Sequence, residues 1–445
     1  MPVVYFAGSH KEIAHHAASI SQRICERGGE QDLHVCFAET DDILRDANPG
    51  DLTIFYSEHF DRFRDACSQL KQRGVATLYM IDGILEWRNA WVNRADEVAC
   101  PYAMRPALAH KIAVIGNSQS RVIESWGNAG KTEVVGVPRL DAYVTRLQSQ
   151  AKLGAAENVI DQRSGPLRIL VMTAKTPAFT ATQRKKVRDS LLDLKRWAEA
   201  NEQLDGYHLQ WTWRLTKDLH SEIGVSNSLT DLTGKELADI LANIDMVIST
   251  PSTAIVEAML NDLPVAALDY HNCPHYVQAG WDIAASSHIE DTLRSMASRD
   301  PARMLFQENQ LYDTLYLESS ATERMVELID SMLRITADRL TDDQPLAFPP
   351  SILPPPKQLS AEFSHQRLFP AIDSFRRSDQ AELQAEHAHA RREICHLRSE
   401  IRQLQSELDQ AHQIFESIDQ HPIAGPIVRL RQRFIDWMSS FKKKK

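Results

Sequence analysis

The sequence predicts an α/β protein of two doubly wound, Rossmann-like domains in tandem, followed by a coiled-coil helix and an amphipathic tail. Three observations carry that expectation. Short apolar runs alternate with helix-period segments, that alternation is interrupted once by a polar stretch, and the composition shifts after residue 340. At roughly 150 residues per domain, 445 residues leave room for about three units.

Residues 1–147 form the first predicted domain. VVYFAG, LHVCFA, LTIFYS, VATLYMID, EVACPY, KIAVIG and TEVVGV read as its strands. They are apolar almost throughout instead of alternating, the pattern that burial on both faces of a parallel sheet produces. Spacers such as EIAHHAASISQRICERGG repeat apolar residues at helical spacing and close on Gly-Gly. His15 and His16 on this spacer read as helix surface. Repeated strand–helix units of this kind mean a doubly wound sheet. The polar stretch from Gln148 to Pro166 then leads to a second block, 166–340. Here LRILVMT, HLQWTWRL, DMVIST and PVAALDY read as strands, and Arg184–Asn201, Gly234–Ala242 and Thr253–Leu260 as helices. Two such blocks imply a cleft between them.

Residues 341–375 contain DDQPLAFPPSILPPPK, whose six prolines favour an extended, semi-rigid linker. Over 376–420, Leu383, His387, Ala390, Ile394, Leu397, Ile401, Leu404, Leu408, Ala411, Phe415 and Ile418 keep a 4/3 spacing. That seam predicts a coiled coil and a homo-oligomer formed through it. In the tail, 421–445, IVRLRQRFIDWMSSFKKKK puts Ile427, Leu430, Phe434, Trp437, Met438 and Phe441 on one helical face. From Ile423 onward it holds seven basic residues and one acid. A basic helix with aromatic anchors suits peripheral contact with an anionic membrane.

Composition narrows the function classes. Lys and Arg number 50 against 60 Asp and Glu, for a net charge of −10, which argues against a nucleic-acid binder. No run approaches the ~18 apolar residues of a spanning helix, and MPVVYFAGSHKE lacks the layout of a signal peptide. The six cysteines show no CxxC spacing, which fits reduced thiols in core positions and a cytoplasmic protein. GxxxxGK[ST] and GxGxxG are both missing, so P-loop and dinucleotide chemistry are disfavoured. His271, Cys273 and His275 in HNCPHY read as loop packing in preference to zinc, and no metal site is expected.

The richest segment is DMVISTPSTAIVEAMLNDLPVAALDY. A buried strand ends at Ser249 and Thr250, and Pro251 stands at a natural first helical position. Ser252 and Thr253 add hydroxyls. The open N–H groups and positive end of such a helix suit a diphosphate. Glu257 projects one turn further along the same face, where a carboxylate can accept from both hydroxyls of a ribose.

This segment resembles the donor-binding stretch of GT-B glycosyltransferases, especially those of bacterial surface polysaccharide synthesis. KIAVIGNSQSRVIESWGNAGKTEVVGVPRLDAY resembles the stretch closing their first domain, with its hV.G.PR.D pattern, and GKELADILANIDMVIST the approach to the donor loop. The likeness spans roughly residues 1 to 335. It implies a nucleotide-sugar donor held by the second domain, a carbohydrate or lipid-linked acceptor held by the first, and no further cofactor. Ser249, Thr250, Ser252 and Thr253 would face the diphosphate and Glu257 the ribose. Lys175 and Arg214 occupy places where relatives put a basic residue beside the diphosphate; RLTKDLH keeps the Arg but not the relatives' following His-Pro. A cation there offsets the charge that grows on the leaving group.

Inversion of configuration would further require a base in the first domain. Asp82, where VATLYMID gives way to a loop, is the candidate; it takes the place of a His-Gly pair in relatives, with Gly83 for a tight turn and Glu86 and Arg88 close behind. Gly8, Ser9 and His10 form a second candidate rim. Three other readings stand beside transfer of a sugar: a nucleotide-sugar 2-epimerase, a polyol-phosphate transferase, and a non-catalytic nucleotide-binding coiled-coil interaction protein.

Overall fold

The computed structural model describes residues 2–8, 10–27, 33–56, 61–86, 104–154, 165–216, 218–226, 237–271, 275–342, 344–357, 401, 404 and 405. The chain divides into two compact units, Met1–Asp373 and Ser374–Lys445. Most of the expected coiled coil, the basic tail, Arg88, Cys273 and the EVACPY strand lie outside the described residues; residues 401, 404 and 405 are helical.

The first sheet runs β1 (Val3–Ala7), β2 (His34–Ala38), β3 (Leu52–Phe55), β4 (Ala76–Met80), β5 (Lys111–Val114) and β6 (Thr132–Val134). Its strands are all parallel, in the order β2-β1-β3-β4-β5-β6. Helices α1 (His10–Arg27), α2 (Thr40–Asp46), α3 (Asp61–Gln72) and α4 (Asn117–Ile123) accompany it. Ile13, Ala17, Ile20 and Ile24 of α1 cover one face, and Phe63, Ala66, Cys67 and Leu70 of α3 the other. Burial from both sides is why these strands read as unbroken apolar runs. The thiols are less uniform than expected: Cys67 is buried, but Cys25 is exposed and Cys36 half-buried.

After α5 (Asp141–Gly154) the second sheet comprises β7 (Leu167–Met172), β8 (Gln203–Leu204), β9 (Tyr207–Arg214), β10 (Met246–Ser249), β11 (Val265–Leu268) and β12 (Trp281–Ile283). Their order is β12-β11-β10-β7-β9-β8, parallel except for β8 against β9. The helices are α6 (Ala181–Ala200), α7 (Leu219–Ile223), α8 (Leu237–Leu241), α9 (Thr253–Leu260), α10 (Ile289–Ala297), α11 (Pro301–Thr314) and α12 (Ala321–Thr341). The start of α6 is fixed reciprocally. Thr180 Oγ1 accepts from Gln183 N at 3.2 Å, and Gln183 Oε1 accepts from Phe179 N at 2.9 Å. None of the helices among the described residues is long and apolar enough to cross a membrane.

In each sheet the chain leaves its first strand in one direction and then reverses, so the strand order switches between β1 and β3 and again between β7 and β10. The crevice at the carboxyl ends of the strands beside such a switch is where open α/β sheets bind ligands.

Two corrections concern the end of this unit. The sequence boundary at 340 assigns α12 to the second domain, but Met325, Val326, Leu328, Ile329, Met332 and Leu333 of α12 pack into the core of the first sheet. The chain therefore crosses between lobes twice. The proline stretch, expected to be a spacer, is docked over its described part. Ile352 N and Leu353 N donate to the Glu133 carboxylate at 2.8 and 3.1 Å, and Lys111 Nζ donates to Pro350 O at 3.1 Å and to Glu133 at 2.7 Å. Prolines favoured the extended form, while buried charges on β5 and β6 gave it somewhere to bind.

The two crossings are sewn together by the segment V-G-V-P-R-L-D. Gly136 has φ +99°, and a Cβ there would lie 2.8 Å from Ala321 Cβ. The Asp141 carboxylate caps α12, accepting from Ala321 N at 2.9 Å and from Thr322 N and Ser320 Oγ at 2.7 Å. Below the crossing, Ile115, Val137 and Leu140 share one apolar cluster with Val256, Met259 and Leu315.

Candidate active site

The carboxyl ends of the second sheet bring several expected residues to one edge. Arg214, Met172 and Ser249 are register partners across β9, β7 and β10, so Arg214 and the Ser249–Thr253 segment share an edge with the Thr173–Lys175 loop. Ser249 and Thr250 are 0% and 1% exposed, and their hydroxyls are engaged internally. Thr250 Oγ1 accepts from Ala174 N at 2.8 Å, and Ser249 Oγ donates to Thr250 O at 2.8 Å. They hold the loop's shape, which leaves the half-buried Ser252 and Thr253 nearer solvent. Pro251 precedes the helix instead of opening it: Ser252 is the N-cap, with extended φ/ψ and no side-chain cap bond, and α9 starts at Thr253. Lys175 is exposed and Arg214 half-buried.

The first lobe meets this helix start directly. Ile84 N donates to Thr253 Oγ1 at 3.2 Å. A Cβ on Gly83 would lie 2.7 Å from that same oxygen, so Gly83 is needed for close approach, not for the turn expected of it. Gln119 of α4, 3% exposed, pins the loop by donating to Gly83 O and accepting from Ile115 N, both at 2.9 Å.

Asp82 heads this loop, and its partner overturns one expectation. His16, read as helix surface, pairs through Nδ1 with Asp82 Oδ2. His16 falls three residues after Ile13 and four before Ile20, on the stripe of α1 that faces the sheet. Its ring stacks on Tyr56, just past β3, with centroids 6.2 Å apart. The Asp82 carboxyl is held below its usual range. Burial acts against its charge, but the His16 hydrogen bond and the charges of His16 and Arg139 outweigh burial. An ionised Asp82 on Nδ1 fixes the imidazole tautomer and leaves Nε2 as the acceptor nitrogen. Glu86 follows half-buried on the same loop.

Glu257, expected to project one turn along α9, receives a bond from Arg139 Nη1 at 3.3 Å. Arg139 Nε stands 4.0 Å from Asp82 Oδ2. Thus Asp82 from one lobe and Glu257 from the other flank a guanidinium on the hinge turn Pro138–Leu140. Beside them, burial and then the charges of Arg139 and His16 push His15 below its usual value.

Past β11, the Asp269 carboxylate binds His271 Nδ1 at 2.7 Å and His275 Nε2 at 3.0 Å. His275 Nδ1 lies 3.5 Å from Asp282 Oδ1. Burial opposes protonation of His275, but hydrogen bonds to Asp269 and Asp282 and their charges push it up to about 9. The next residue, Tyr276, reaches the first lobe, its ring 6.0 Å from that of Trp126.

Two doubly wound, mostly parallel sheets, joined by two crossings and in contact through Ile84 and Thr253, make this a two-domain α/β protein of Rossmann-like sheets. No family profile and no curated protein sequence matches the chain. Solved structures do. The wall teichoic acid polymerase TagF aligns with a TM-score of 0.45 and 10% identity over 75% of this chain and 89% of its own. The Methanocaldococcus jannaschii UDP-GlcNAc 2-epimerase in complex with UDP-GlcNAc and UDP gives 0.48 and 9% over 74% and 99%. An S. aureus MnaA–UDP co-structure gives 0.44 and 13% over 78% and 99%.

Proposed function

We propose that the protein is a glycosyltransferase that moves a sugar from a nucleotide-sugar to an acceptor hydroxyl, in the synthesis of a surface polysaccharide or glycoconjugate. The observation that supports this reading most is that the loop carrying Asp82, the partner of His16, also bonds the start of α9 through Ile84 N and Thr253 Oγ1. That contact brings a candidate proton acceptor and an anion-favouring helix end into one neighbourhood.

In this reading His16 Nε2 takes the proton of the acceptor hydroxyl as its oxygen attacks the anomeric carbon. Asp82 keeps the ring oriented and stabilises the imidazolium. The base thus moves from Asp82 to His16, with Asp82 behind it. The diphosphate departs toward the first N–H groups of α9 and the Ser252 hydroxyl, and Lys175 and Arg214 offset its charge. Glu257 accepts from the ribose hydroxyls. Ser249 and Thr250 shape the loop. The coiled coil assembles copies of the chain and the basic tail brings them to an anionic membrane on its cytoplasmic side.

One feature favours a second reading, the nucleotide-sugar 2-epimerase. Asp82, Glu257 and His16 lie in one cluster, and such chemistry uses several acid–base groups around the sugar. Incubation of the full chain with uridine, cytidine, guanosine and thymidine diphosphate sugars separates the two. Transfer or slow hydrolysis releases nucleoside diphosphate and sugar, whereas an isomerised nucleotide-sugar marks the epimerase. Glu257→Ala should weaken nucleoside diphosphate binding about tenfold, the loss of hydrogen bonds to a charged group; unchanged affinity removes Glu257 from the ribose.

A further inference from the structure

Residues from several chain segments cluster at the hinge turn. His15 and His16 come from α1, Asp82 from the loop after β4, Arg139 from the hinge turn, Tyr143 from α5 and Glu257 from α9. Arg139 Nη1 donates to Glu257 Oε1 at 3.3 Å. Its Nε is buried, has no hydrogen-bond partner among the described residues, and stands 4.0 Å from Asp82 Oδ2. The hinge also holds the far end of α9. Asn261 Nδ2 donates both to Glu257 O, at 2.7 Å, and to the Tyr143 hydroxyl, four residues beyond Arg139. Burial and then Glu257 push that hydroxyl above its usual value, so it stays neutral and available to accept.

Bringing two carboxylates from different lobes toward one cleft costs energy unless a cation stands between them. Arg139 has the geometry for that, with one edge on Glu257 and another toward Asp82. A lysine supplies the charge but not the planar fork.

We infer that Arg139 is a positioning residue shared by both lobes: it fixes Glu257 for the ribose and offsets the charge of Asp82 beside His16. The inference rests on the transfer reading above and adds to it the residue through which donor and base are aligned. On the same helix, burial and then the Arg139 charge hold His15 below its usual value.

The test uses the full chain, its Arg139→Ala and Arg139→Lys variants, calorimetry with uridine, cytidine, guanosine and thymidine diphosphates, and the pH dependence of kcat on the nucleotide-sugar turned over. In Arg139→Ala, affinity for the bound diphosphate should fall about tenfold. The acidic limb of kcat should move up by about one pH unit, because a cation near the pair has gone. In Arg139→Lys the limb should return close to its original place while affinity stays low. A uniform loss of kcat at every pH, with the limb unmoved and affinity intact, overturns the inference and leaves the transfer reading standing. Absence of diphosphate binding or turnover by the unaltered chain overturns both. Should Arg139→Ala fail to fold, the lysine variant decides alone: affinity equal to that of the unaltered chain contradicts the shared role.

Discussion

His16 shows how a single position in a stripe can change a site. A histidine on the sheet-facing side of α1 must find a polar partner, because a buried ring nitrogen left unpaired is costly. It finds Asp82, where burial opposes the carboxylate charge and the His16 hydrogen bond, with the His16 and Arg139 charges, outweighs it. Asp82→Asn should therefore preserve the fold and diphosphate affinity while lowering kcat about 100-fold or more. Steady-state kinetics beside calorimetry checks this, and an unaltered kcat would remove Asp82 from the chemistry. Asp82 also links stability to acid. Its folded carboxyl lies below the usual value of 3.8, so its contribution is present above that pH and is lost as pH falls through the folded value. The positions of Asp82 after a strand and of Glu257 one turn into a helix were legible in the sequence, because a strand end and a helix turn announce them. Arg139 was visible only as a letter in a hinge pattern, since nothing local says that a crossing turn meets two carboxylates. His16 was misread although it fits the i, i+3, i+4, i+7 series begun at Ile13.

Among elements, the strands with unbroken apolar runs were readable, because two-sided burial leaves no polar positions to confuse them. The two-residue β8 and three-residue β12 are too short to impose a period. Helix α9 was read at its observed bounds, Thr253–Leu260. The destination of α12 was not readable, because an apolar stripe names a need for burial and not the sheet that meets it. Gly83→Ala should push the Thr253 hydroxyl away and unpair Ile84 N, costing about 1–3 kcal/mol, visible as an earlier urea midpoint; an unchanged midpoint would mean the loop relaxes freely. Glu133→Gln leaves the Lys111 ammonium, 1% exposed, without its carboxylate and loosens residues 350–353. A loss of about 3–5 kcal/mol is expected in urea unfolding, and a change near zero would show that the proline strap and the pair contribute little.

For the whole molecule, one histidine in each lobe sets an opposite response to pH. His110 accepts from Thr77 N through Nδ1 at 3.1 Å. Burial, with the charges of Lys71 and Lys131, pushes it down to about 3 from 6.5. Between those values the unfolded chain binds the proton and the folded one does not, so stability falls as pH drops from about 6.5 toward 3. His275 is the reverse. Its contribution is complete below 6.5 and is lost as pH rises toward about 9. Urea midpoints measured from about pH 5 to about pH 9 should show a dome, and His275→Gln should flatten its alkaline side; an alkaline side unaffected by that change contradicts the buried imidazolium. The account as a whole turns on whether His16 works on an acceptor across from a bound nucleotide-sugar. The most direct measurement is turnover of the nucleotide-sugar panel by the full chain and by His16→Ala, with diphosphate affinity determined for both. The account predicts that one donor is consumed, that the variant loses about 100-fold or more of kcat, and that its diphosphate affinity is unchanged. Equal kcat in the two proteins, or no donor consumed by either, contradicts it.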